Sequence, residues 1–323
     1  MTVISQFMET HFKHFNARET MDAAKAWREL IESGGKMFLA MAGAMSTAEI
    51  GISLAEMIRR EKVHAICCTG ANLEEDVFNL FSHNNYEMFP GYADLSPLDE
   101  RDLYERGMNR VTDTCIPKTA MQHVESVIVK FWQEAAEKGE PLFPYQFLYK
   151  VLDEPNIEEH FHIPREHSWV LAAKEKGLPI FSPGAADSSL GNAYCAEVMR
   201  GAIAGRHGLR TDTELMEFLA KWYMENAGEG TPVGFFQIGG GIAGDFSICV
   251  VPMLNQDVKV KKIPLWAYFA QIGDSPTSNG SYSGAPPNEK ITWGKLDVNT
   301  PRFMINSDAT IVAPLIFAYV MKQ

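Results

Sequence analysis

A lysine, a tryptophan and a glutamate stand close together near the C-terminus, in the segment NEKITWGKLDVN at residues 288–299. Lys295 follows Trp293 by two residues, and Glu289 precedes Trp293 by four. A neutral lysine amine attacks imines and carbonyl carbons to form a Schiff base. The amine must first lose its proton, and removal from water against an indole ring favours the neutral form. Because most lysines are solvated surface residues, the rest of the sequence has to decide whether Lys295 is a nucleophile.

The two neighbouring side chains suit an amine substrate. The face of Trp293 could hold a substrate cation by cation–π attraction, which is worth roughly 0.5–2 kcal/mol. Glu289 could pair with an ammonium group. With a nicotinamide nearby, these residues would support oxidative activation of an amine, in which hydride removal makes an imine and the lysine captures the carbon fragment.

One repeated pattern could supply the framework for these residues. Short apolar runs predict strands at residues 36–42, 63–68, 178–182 and 233–238, with a further strand in LWAYFAQIGDS. Small residues follow each run, and a helical pattern comes next in most cases. Apolar strands without alternation, followed by helices, indicate a parallel sheet covered by helices on both faces. We therefore predict a doubly wound, Rossmann-like α/β fold, in which ligands bind at the carboxyl ends of the strands.

Polar residues after the first two strands predict where helices begin. Ser46 is expected to cap one helix, with a capping-box glutamate three residues later, and Asn72 is expected to cap the next. Glu74, Glu75 and Asp76 would then lie in a first helical turn and offset the helix dipole on a solvated face. A carboxylate at a strand end can also bind ribose hydroxyls, so both roles stay open.

Glycines follow the strand at residues 233–238 in the pattern GGGxxG, which begins at Gly239, Gly240 and Gly241. Bare backbone lets a phosphate approach the N–H groups closely. The pattern resembles, without equalling, the GxGxxG of dinucleotide-binding turns. A dinucleotide site and a tight turn between sheet and helix both stay open. Asp187 and Asp308 lie beside small residues, where either could cap a helix.

The middle of the chain, residues 85–175, has a weaker pattern and is expected to elaborate the same domain. Segments 96–114 and 120–139 look helical, and segment 141–155 begins a loop and a helix. The apolar SDATIVAPLIFAYVMKQ predicts a closing helix. We predict one domain across residues 1–323, with residues 1–20 as an N-terminal extension.

Composition limits the partners of the chain. It has 323 residues, 41 acidic against 29 basic, and a net charge of −12, which argues against non-specific nucleic-acid binding. No apolar run approaches the roughly 18 residues of a membrane span, and no signal peptide is evident, so we expect a cytoplasmic protein. The histidines and cysteines do not show the spacing of a zinc site, so no metal is expected. The sequence also contains no phosphate-binding P-loop. The cysteines are expected to be reduced and buried: Cys67, Cys68, Cys115, Cys195 and Cys249.

The segment GSYSGAPPNEKITWGKL, residues 280–296, closely resembles the deoxyhypusine synthase signature, in which the lysine of WGK forms a covalent intermediate. Further similarity lies in TGANLEED, PIFSPGAADSSLGN, IGGGIAGDF and NSDAT, which occur in the family's order. The resemblance spans roughly residues 10–323. It implies the deoxyhypusine synthase fold and a homotetramer, a dimer of dimers, with active sites at dimer interfaces.

The resemblance also implies a reaction. In the family NAD accepts a hydride from spermidine, the butylimine fragment moves to the lysine and then to an acceptor amine, and the hydride returns. The acceptor is a lysine of the eukaryotic translation factor that carries hypusine, or putrescine in relatives that make homospermidine. The positions that match the family's NAD contacts are Ser46, Thr69, Gly70, Glu74, Glu75, Asp187, Gly239, Gly240, Gly241 and Asp308.

Several positions depart from the family pattern. Gly244 and Asp245 replace a lysine–histidine pair whose histidine acts in proton transfer, and Cys249 replaces a substrate-contacting asparagine. Three aspartates that bind or neighbour the polyamine are replaced by Tyr282, Asn192 and Asn279. Each lost carboxylate removes a charge-assisted hydrogen bond, on the order of 1.5–3 kcal/mol.

These departures resemble the bacterial deoxyhypusine synthase-like group. We therefore predict an NAD-dependent transferase of alkyl groups with altered specificity for a polyamine or related amine. Lys295 would be the nucleophile, with Asp245 as base or ammonium anchor. The expected substrate contacts are Trp293, Glu289, Tyr282, Asn192 and Cys249. An authentic deoxyhypusine synthase and a non-catalytic NAD-binding regulatory protein remain as alternatives.

Overall fold

A six-stranded parallel sheet forms the centre of the molecule in a computed structural model, which describes residues 3–204, 208–228, 230–277 and 280–323. The strands of this sheet are β1 (Lys36–Met41), β2 (Ala65–Cys68), β6 (Ile180–Phe181), β7 (Val233–Ile238), β8 (Tyr268–Gly273) and β9 (Arg302–Asn306). They are arranged in the order β6-β2-β1-β7-β8-β9. The chain therefore runs outward from β1 to one edge, returns to β7 beside β1 and continues to the other edge. This confirms the doubly wound α/β prediction and places the topological switch point between β1 and β7.

Helices cover both faces of the sheet. Phe235 and Phe236 are adjacent in β7 and point to opposite faces. The ring of Phe236 packs on Trp27, whereas the ring of Phe235 packs on Trp266. The helices are α1 (Val3–His11), α2 (Phe15–Glu32), α3 (Gly51–Arg59), α4 (Gly70–Ser82), α5 (Pro97–Glu105), α6 (Lys118–Lys138), α7 (Pro144–Val151), α8 (Trp169–Lys176), α9 (Ser189–Met199), α10 (Asp212–Asn226), α11 (Gly241–Ile248), α12 (Val250–Pro252), α13 (Glu289–Thr292) and α14 (Ala309–Val320).

The strand register brings the strand ends level with one another. Met41 of β1 pairs with Cys68 of β2 on one side and with Ile238 of β7 on the other. Ile238 pairs in turn with Ile272, and Ile272 with Ile305. The turns that follow these strands therefore leave from one edge of the sheet.

A second, three-stranded antiparallel sheet corrects the helical prediction for residues 96–114. Its strands are β3 (Glu87–Met88), β4 (Met108–Val111) and β5 (Thr114–Pro117), in the order β3-β5-β4. Helix α5 ends at Glu105, just before Gly107, which has a φ of 74°. Thr112 then adopts a φ of 54° in the turn between β4 and β5. These two positions break a pattern that the side chains alone would continue as a helix.

Two predicted helix starts are also wrong. Helix α3 begins at Gly51 rather than near Ser46, and Glu49 has a φ of 55°, which a helix does not allow. Helix α4 is capped by Thr69, whose side chain accepts a hydrogen bond from the Asn72 backbone N–H. Asn72 therefore lies inside the helix.

The chain termini pack together. Helices α1, α2 and α3 contact α14, and the Ser5 backbone N–H donates to the carbonyl of Gln323 at 3.0 Å. The extension predicted for residues 1–20 thus ends inside α2, and its separation from the domain stays a prediction. All five cysteines are free thiols, but Cys195 is exposed and Cys249 half-buried, which corrects the expectation of burial. Within the described ranges, no helix combines the length and apolar character that crossing a membrane requires.

Candidate active site

Lys295 is buried by the chain reversal that follows α13. Gly294 has a φ of 67°, which turns the backbone so that the Lys295 N–H donates to the Lys290 carbonyl at 3.1 Å. The Lys295 carbonyl accepts from the Trp266 N–H at 3.2 Å, next to β8. Lys295 is consequently only 5% exposed, although it lies in a polar segment.

The Lys295 amine faces a carboxylate and two aromatic rings. Its Nζ lies 3.4 Å from Oδ1 of Asp245. The same nitrogen lies 5.4 Å from the ring centre of Tyr282 and 5.7 Å from that of Trp293. Trp293 is 61% exposed, so its indole forms an outer wall rather than part of the core. The predicted nucleophile Lys295 is thus close to the predicted base Asp245 and to two predicted substrate contacts, Tyr282 and Trp293.

A cavity of about 320 Å³ opens beside the Lys295 amine. This volume lies within the range of small-molecule sites. The cavity contains every residue predicted for catalysis or substrate binding except Asn192. Its lining consists of Asp245, Cys249, Thr277, Gly280, Ser281, Tyr282, Ala285, Pro286, Glu289, Lys290, Trp293 and Lys295.

Helix α11 supplies Asp245, and Cys249 follows one turn later. The Cys249 thiol donates to Oδ1 of Asp245 at 3.5 Å, the same oxygen that faces Lys295. Burial raises the pKa of the Cys249 thiol, so the sulfur stays protonated and acts as a weak donor. Asp245 therefore occupies the centre of the polar wall, with 52% of its side chain exposed to the cavity and solvent.

Tyr282, at a position where the resemblance predicts a carboxylate, has a ring that organises the wall. Its hydroxyl donates to Oε1 of Gln237 at 2.8 Å, and Nε2 of Gln237 donates to the Gly239 carbonyl at 3.0 Å. Burial raises the pKa of the Tyr282 hydroxyl well above its usual value, so it remains a neutral donor. Gln237 was missed by sequence reasoning because it lies inside an apolar strand. The chain Tyr282–Gln237–Gly239 links the amine cavity to the glycine turn.

Lys290 is a second cavity lysine that sequence reasoning missed. It is 2% exposed, and its Nζ has no hydrogen-bond partner among the described residues. The nitrogen lies 4.8 Å from the ring centre of Phe269 and 4.9 Å from that of Tyr282. Burial lowers the pKa of Lys290 to about 8, and the charge of Lys295 acts in the same direction. In the sequence, Lys290 looks like an ordinary surface residue of a short polar helix.

The glycine turn after β7 is tightly built. Gly239 and Gly241 have φ values of 70° and 55°, which favour glycine. A Cβ on Gly240 would lie 2.3 Å from Oγ of Ser283, so the loop that carries Tyr282 packs directly on this turn. The Ser283 hydroxyl accepts from the Gly241 N–H at 3.1 Å. Gly241 is exposed and begins α11, a helix of eight residues.

The turn after β2 is closer to the fold's interior than the sequence suggested. Thr69 is half-buried, and its hydroxyl donates to the Gly43 carbonyl at 3.4 Å. A Cβ on Gly70 would lie 2.8 Å from Cβ of Ser188. Ser46 is fully buried, and its hydroxyl donates to the Asn72 carbonyl at 2.6 Å. The hydrogen-bonding groups of Ser46 are therefore already used within the fold.

The acidic run on α4 is buried rather than solvated. Glu74 accepts from the backbone N–H groups of Ser189 and Leu190, both at 2.7 Å, and so caps α9. Asp76 accepts from Ser168 and Val170 at the start of α8, and burial raises the pKa of Asp76 to about 6. Glu74 and Asp76 therefore bind the starts of other helices, instead of offsetting the dipole of α4 on a solvated face as expected.

Glu75 differs from its two acidic neighbours. Its Oε2 is buried and makes no hydrogen bond to any described residue. Burial raises the pKa of Glu75 to about 7. The hydroxyl of Tyr86 and Oδ1 of Asn79 are also buried without described partners. Glu75 is thus the member of the run whose carboxylate is not committed to capping a helix.

The other predicted residues that the structure describes are exposed, two on turns and one on a helix. Asp187 is exposed in the loop after β6, and Asp308 is exposed as the N-cap of α14, where it accepts from the Thr310 N–H at 2.7 Å. Asn192 is exposed on α9 and donates to the carbonyls of Ala186 and Ser188, outside the amine cavity. Asn279 lies outside the described residues.

The turns at the carboxyl edge of the sheet approach one another. A Cβ on Gly239, after β7, would lie 3.2 Å from Cβ of Ala42, after β1. A Cβ on Gly184, after β6, would lie 3.0 Å from Cδ1 of Ile242 on α11. The Thr69 hydroxyl after β2 reaches Gly43 after β1. Turns that follow four strands thus meet at this edge of the sheet, where doubly wound folds bind their ligands.

This edge fits a dinucleotide in part. The tight Gly239–Gly241 turn and the exposed N-terminus of α11 suit a diphosphate. The unpartnered carboxylate oxygen of Glu75 is an acceptor that a ligand hydroxyl could satisfy. Ser46 and Glu74 fit less well, because their polar atoms already bind the backbone. In the described part of the chain, no three metal-type side chains lie together.

Comparison with known proteins connects this geometry to a family. The chain matches deoxyhypusine synthase over residues 3–320. It is 28% identical to a deoxyhypusine synthase-like protein of Nostoc sp., covering 99% of this chain and 82% of that protein. It is 24% identical to an Archaeoglobus fulgidus protein named as a probable deoxyhypusine synthase, covering 94% of this chain and 92% of the relative.

A solved structure agrees on the fold. The crystal structure of an Entamoeba histolytica protein assigned as a deoxyhypusine synthase superposes with a TM-score of 0.60 at 11% identity. The superposition covers 99% of this chain and 94% of the other. The family match covers nearly the whole chain, and the solved structure has the same fold: this protein belongs to the deoxyhypusine synthase family.

Proposed function

We propose that this protein is an NAD-dependent alkylamine transferase in which Lys295 carries the transferred carbon fragment as an imine. The observation that supports the proposal most strongly is the buried Lys295 amine, 3.4 Å from Asp245 at the wall of an open cavity. Family membership makes this chemistry the expected one. An ordinary surface lysine would be exposed to solvent and would not line a cavity.

NAD, when bound, would accept a hydride from the carbon beside the substrate's amine and later return it. Gly239, Gly240 and Gly241 would hold its diphosphate, with Asp187 and Asp308 on neighbouring exposed turns. Glu75 would offer an acceptor to a ribose hydroxyl. These turns would be shaped by Ser46, Thr69, Gly70 and Glu74.

Lys295 would attack the carbon of the substrate imine. A carbon–nitrogen bond forms to Nζ, the original nitrogen leaves as an amine, and the proton lost by Lys295 is taken up within the site. A second amine then displaces Lys295 by the reverse exchange. Asp245 is the group placed to receive the Lys295 proton, since its Oδ1 faces Nζ.

The cavity walls would hold the rest of the substrate. Trp293 and Tyr282 present ring faces to a cationic amine, and Glu289 lines the same cavity. Tyr282 offers no negative charge, so recognition of the substrate would differ from that of a site with a carboxylate there. This supports altered specificity rather than authentic deoxyhypusine synthesis.

The test is mass spectrometry of the purified protein with NAD and putrescine, spermidine, homospermidine, cadaverine or agmatine, with borohydride trapping. We expect a new amine product and a trapped adduct on Lys295. Lys295→Ala should abolish both, because alanine has no nucleophile. Lys261→Ala is the matched control, since Lys261 is exposed and lies outside the cavity. Full transfer by Lys295→Ala would exclude the imine mechanism.

A further inference from the structure

Lys290 places a second positive charge in the amine cavity without a described partner for it. Its Nζ is buried, makes no hydrogen bond to any described residue and contacts the ring faces of Phe269 and Tyr282. The ammonium has three N–H donors, and ring faces offset only part of the cost of removing it from water. A buried donor left without an acceptor is costly and calls for an explanation.

The other charges of the cavity do not supply that acceptor. Asp245 faces Lys295, and its Oδ1 also accepts from Cys249. Glu289 is exposed and forms no ion pair with any described residue. The described lining therefore holds two carboxylates and two lysines, with only Asp245 and Lys295 paired.

The two lysines flank one ring. Lys290 and Lys295 lie 4.9 Å and 5.4 Å from the ring centre of Tyr282. Both residues also line the cavity, so a short molecule bound there would lie beside both side chains. The pKa of Lys290, lowered by burial to about 8, still leaves the amine mostly protonated at neutral pH.

We propose that Lys290 receives a carboxylate of the substrate, so that the amine processed at Lys295 is an amino acid with a terminal amine rather than a diamine or polyamine. The substrate's amine would lie toward Trp293 and Glu289. Its carboxylate would provide the acceptor that Lys290 lacks. This inference rests on the proposed transferase function and names its substrate class.

The test compares pairs of compounds that differ by one carboxylate: ornithine with putrescine, and lysine with cadaverine. The measured quantity is kcat/KM for forming the borohydride-trapped Lys295 adduct in the presence of NAD. We expect each amino acid to exceed its diamine by roughly 10- to 100-fold, the usual effect of one charge-assisted contact. This comparison needs only the unmodified protein.

The variant Lys290→Met removes the charge and keeps a long apolar side chain between the two rings. We expect the amino acid to diamine ratio to fall to about one, while Lys261→Met, which changes an exposed lysine outside the cavity, keeps the ratio of the unmodified protein. A melting curve would verify that Lys290→Met is folded.

The outcomes separate the two proposals. If putrescine and cadaverine form the adduct at least as fast as the amino acids, or if Lys290→Met keeps the preference, the carboxylate inference is wrong and the transferase stands. Lys290 would then serve only as a cation held between two rings. If none of these four compounds forms a Lys295 adduct but spermidine, homospermidine or agmatine does, the carboxylate inference is again wrong and the transferase stands. If no compound of either set forms the adduct, the proposed function fails and this inference fails with it.

Discussion

Lys295 and Asp245 are 50 residues apart in the chain, yet Nζ of the lysine lies 3.4 Å from Oδ1 of the aspartate. The lysine approaches from the loop after α13, and the aspartate from α11, which begins at the glycine turn. Lys295 is buried, whereas Asp245 is half-exposed, so the carboxylate lies between the amine and the solvent. Asp245, at a position where the resemblance predicts a histidine, thus provides a carboxylate able to take a proton.

Asp245→Asn should lower the rate of alkylamine transfer by about 100-fold or more. The amide keeps the size of the carboxylate but cannot accept the Lys295 proton, and general-base contributions are typically of this order. The measurement is kcat for product formation, together with the yield of the trapped Lys295 adduct.

Asp257→Asn is the control for the Asp245 substitution. Asp257 is exposed at the end of the helical segment that follows Asp245 and does not line the cavity. We expect unchanged transfer. If Asp245→Asn transferred alkyl groups as fast as the unmodified protein, Asp245 would not be the base.

Gly240→Ala should destabilise the protein by about 1–3 kcal/mol and weaken NAD binding. The added Cβ would lie 2.3 Å from Oγ and 2.8 Å from Cα of Ser283, so the turn and the Tyr282 loop would have to separate. Denaturant unfolding and titration with NAD would measure the two effects.

Gly91→Ala is the matched control for Gly240→Ala. Gly91 is exposed with a negative φ, and a Cβ there would meet nothing within 4 Å. Its effect on stability and on NAD binding should be negligible. Equal effects of the two substitutions would contradict the packing argument.

Glu75→Gln should stabilise the protein above pH 7 and have little effect below pH 4.5. Burial raises the pKa of Glu75 from 4.5 to about 7, so the folded state is destabilised by the charged form as the pH rises through this window. Removing the charge should recover up to about 3 kcal/mol in the free energy of unfolding. If Glu75 binds the cofactor, NAD affinity should fall at the same time.

Glu74→Gln is a contrasting control at the adjacent position. Glu74 accepts from two backbone N–H groups of α9, both at 2.7 Å. A glutamine at this position has one accepting oxygen, and its NH₂ group would face the second backbone N–H. We therefore expect the free energy of unfolding to fall by about 1–3 kcal/mol. At pH 8, Glu75→Gln should raise the free energy of unfolding and Glu74→Gln should lower it. Changes in the same direction would contradict the different roles of the two residues.

Lys290 should make the protein more stable as the pH rises from about 8 to 10.5. Burial lowers the pKa of Lys290 from 10.5 to about 8, so in this window the unfolded chain binds a proton that the folded chain has released. The gain is at most about 3 kcal/mol. Unfolding at pH 7 and pH 10 should show a smaller pH dependence for Lys290→Met than for the unmodified protein. If the free energy of unfolding depended on pH equally in Lys290→Met and in the unmodified protein, the lowered pKa of Lys290 would be contradicted.

The apolar runs that became β1, β2, β7 and β8 were recognisable from sequence because both faces of a parallel sheet are buried. Each such strand needs a continuous apolar segment, and the small residues after it mark the turn. The segment GSYSGAPPNEKITWGKL likewise identified Lys295 through similarity. Strand β9 and the antiparallel sheet were missed, because their strands are short and their sequences show neither continuous apolar character nor clear alternation.

The roles of individual polar residues could not be read in the same way. Glu74, Glu75 and Asp76 are adjacent and chemically alike, but one caps α9, one caps α8 and one has a buried oxygen with no described partner. Lys290 and Lys295 are both lysines in a polar segment, and both are buried. The sequence alone determined the buried strands of the parallel sheet, the turns that follow them and the lysine of the family signature. Only the tertiary structure decided which charges are paired, because burial and pairing depend on residues that are distant in the chain and meet at the edge of the sheet.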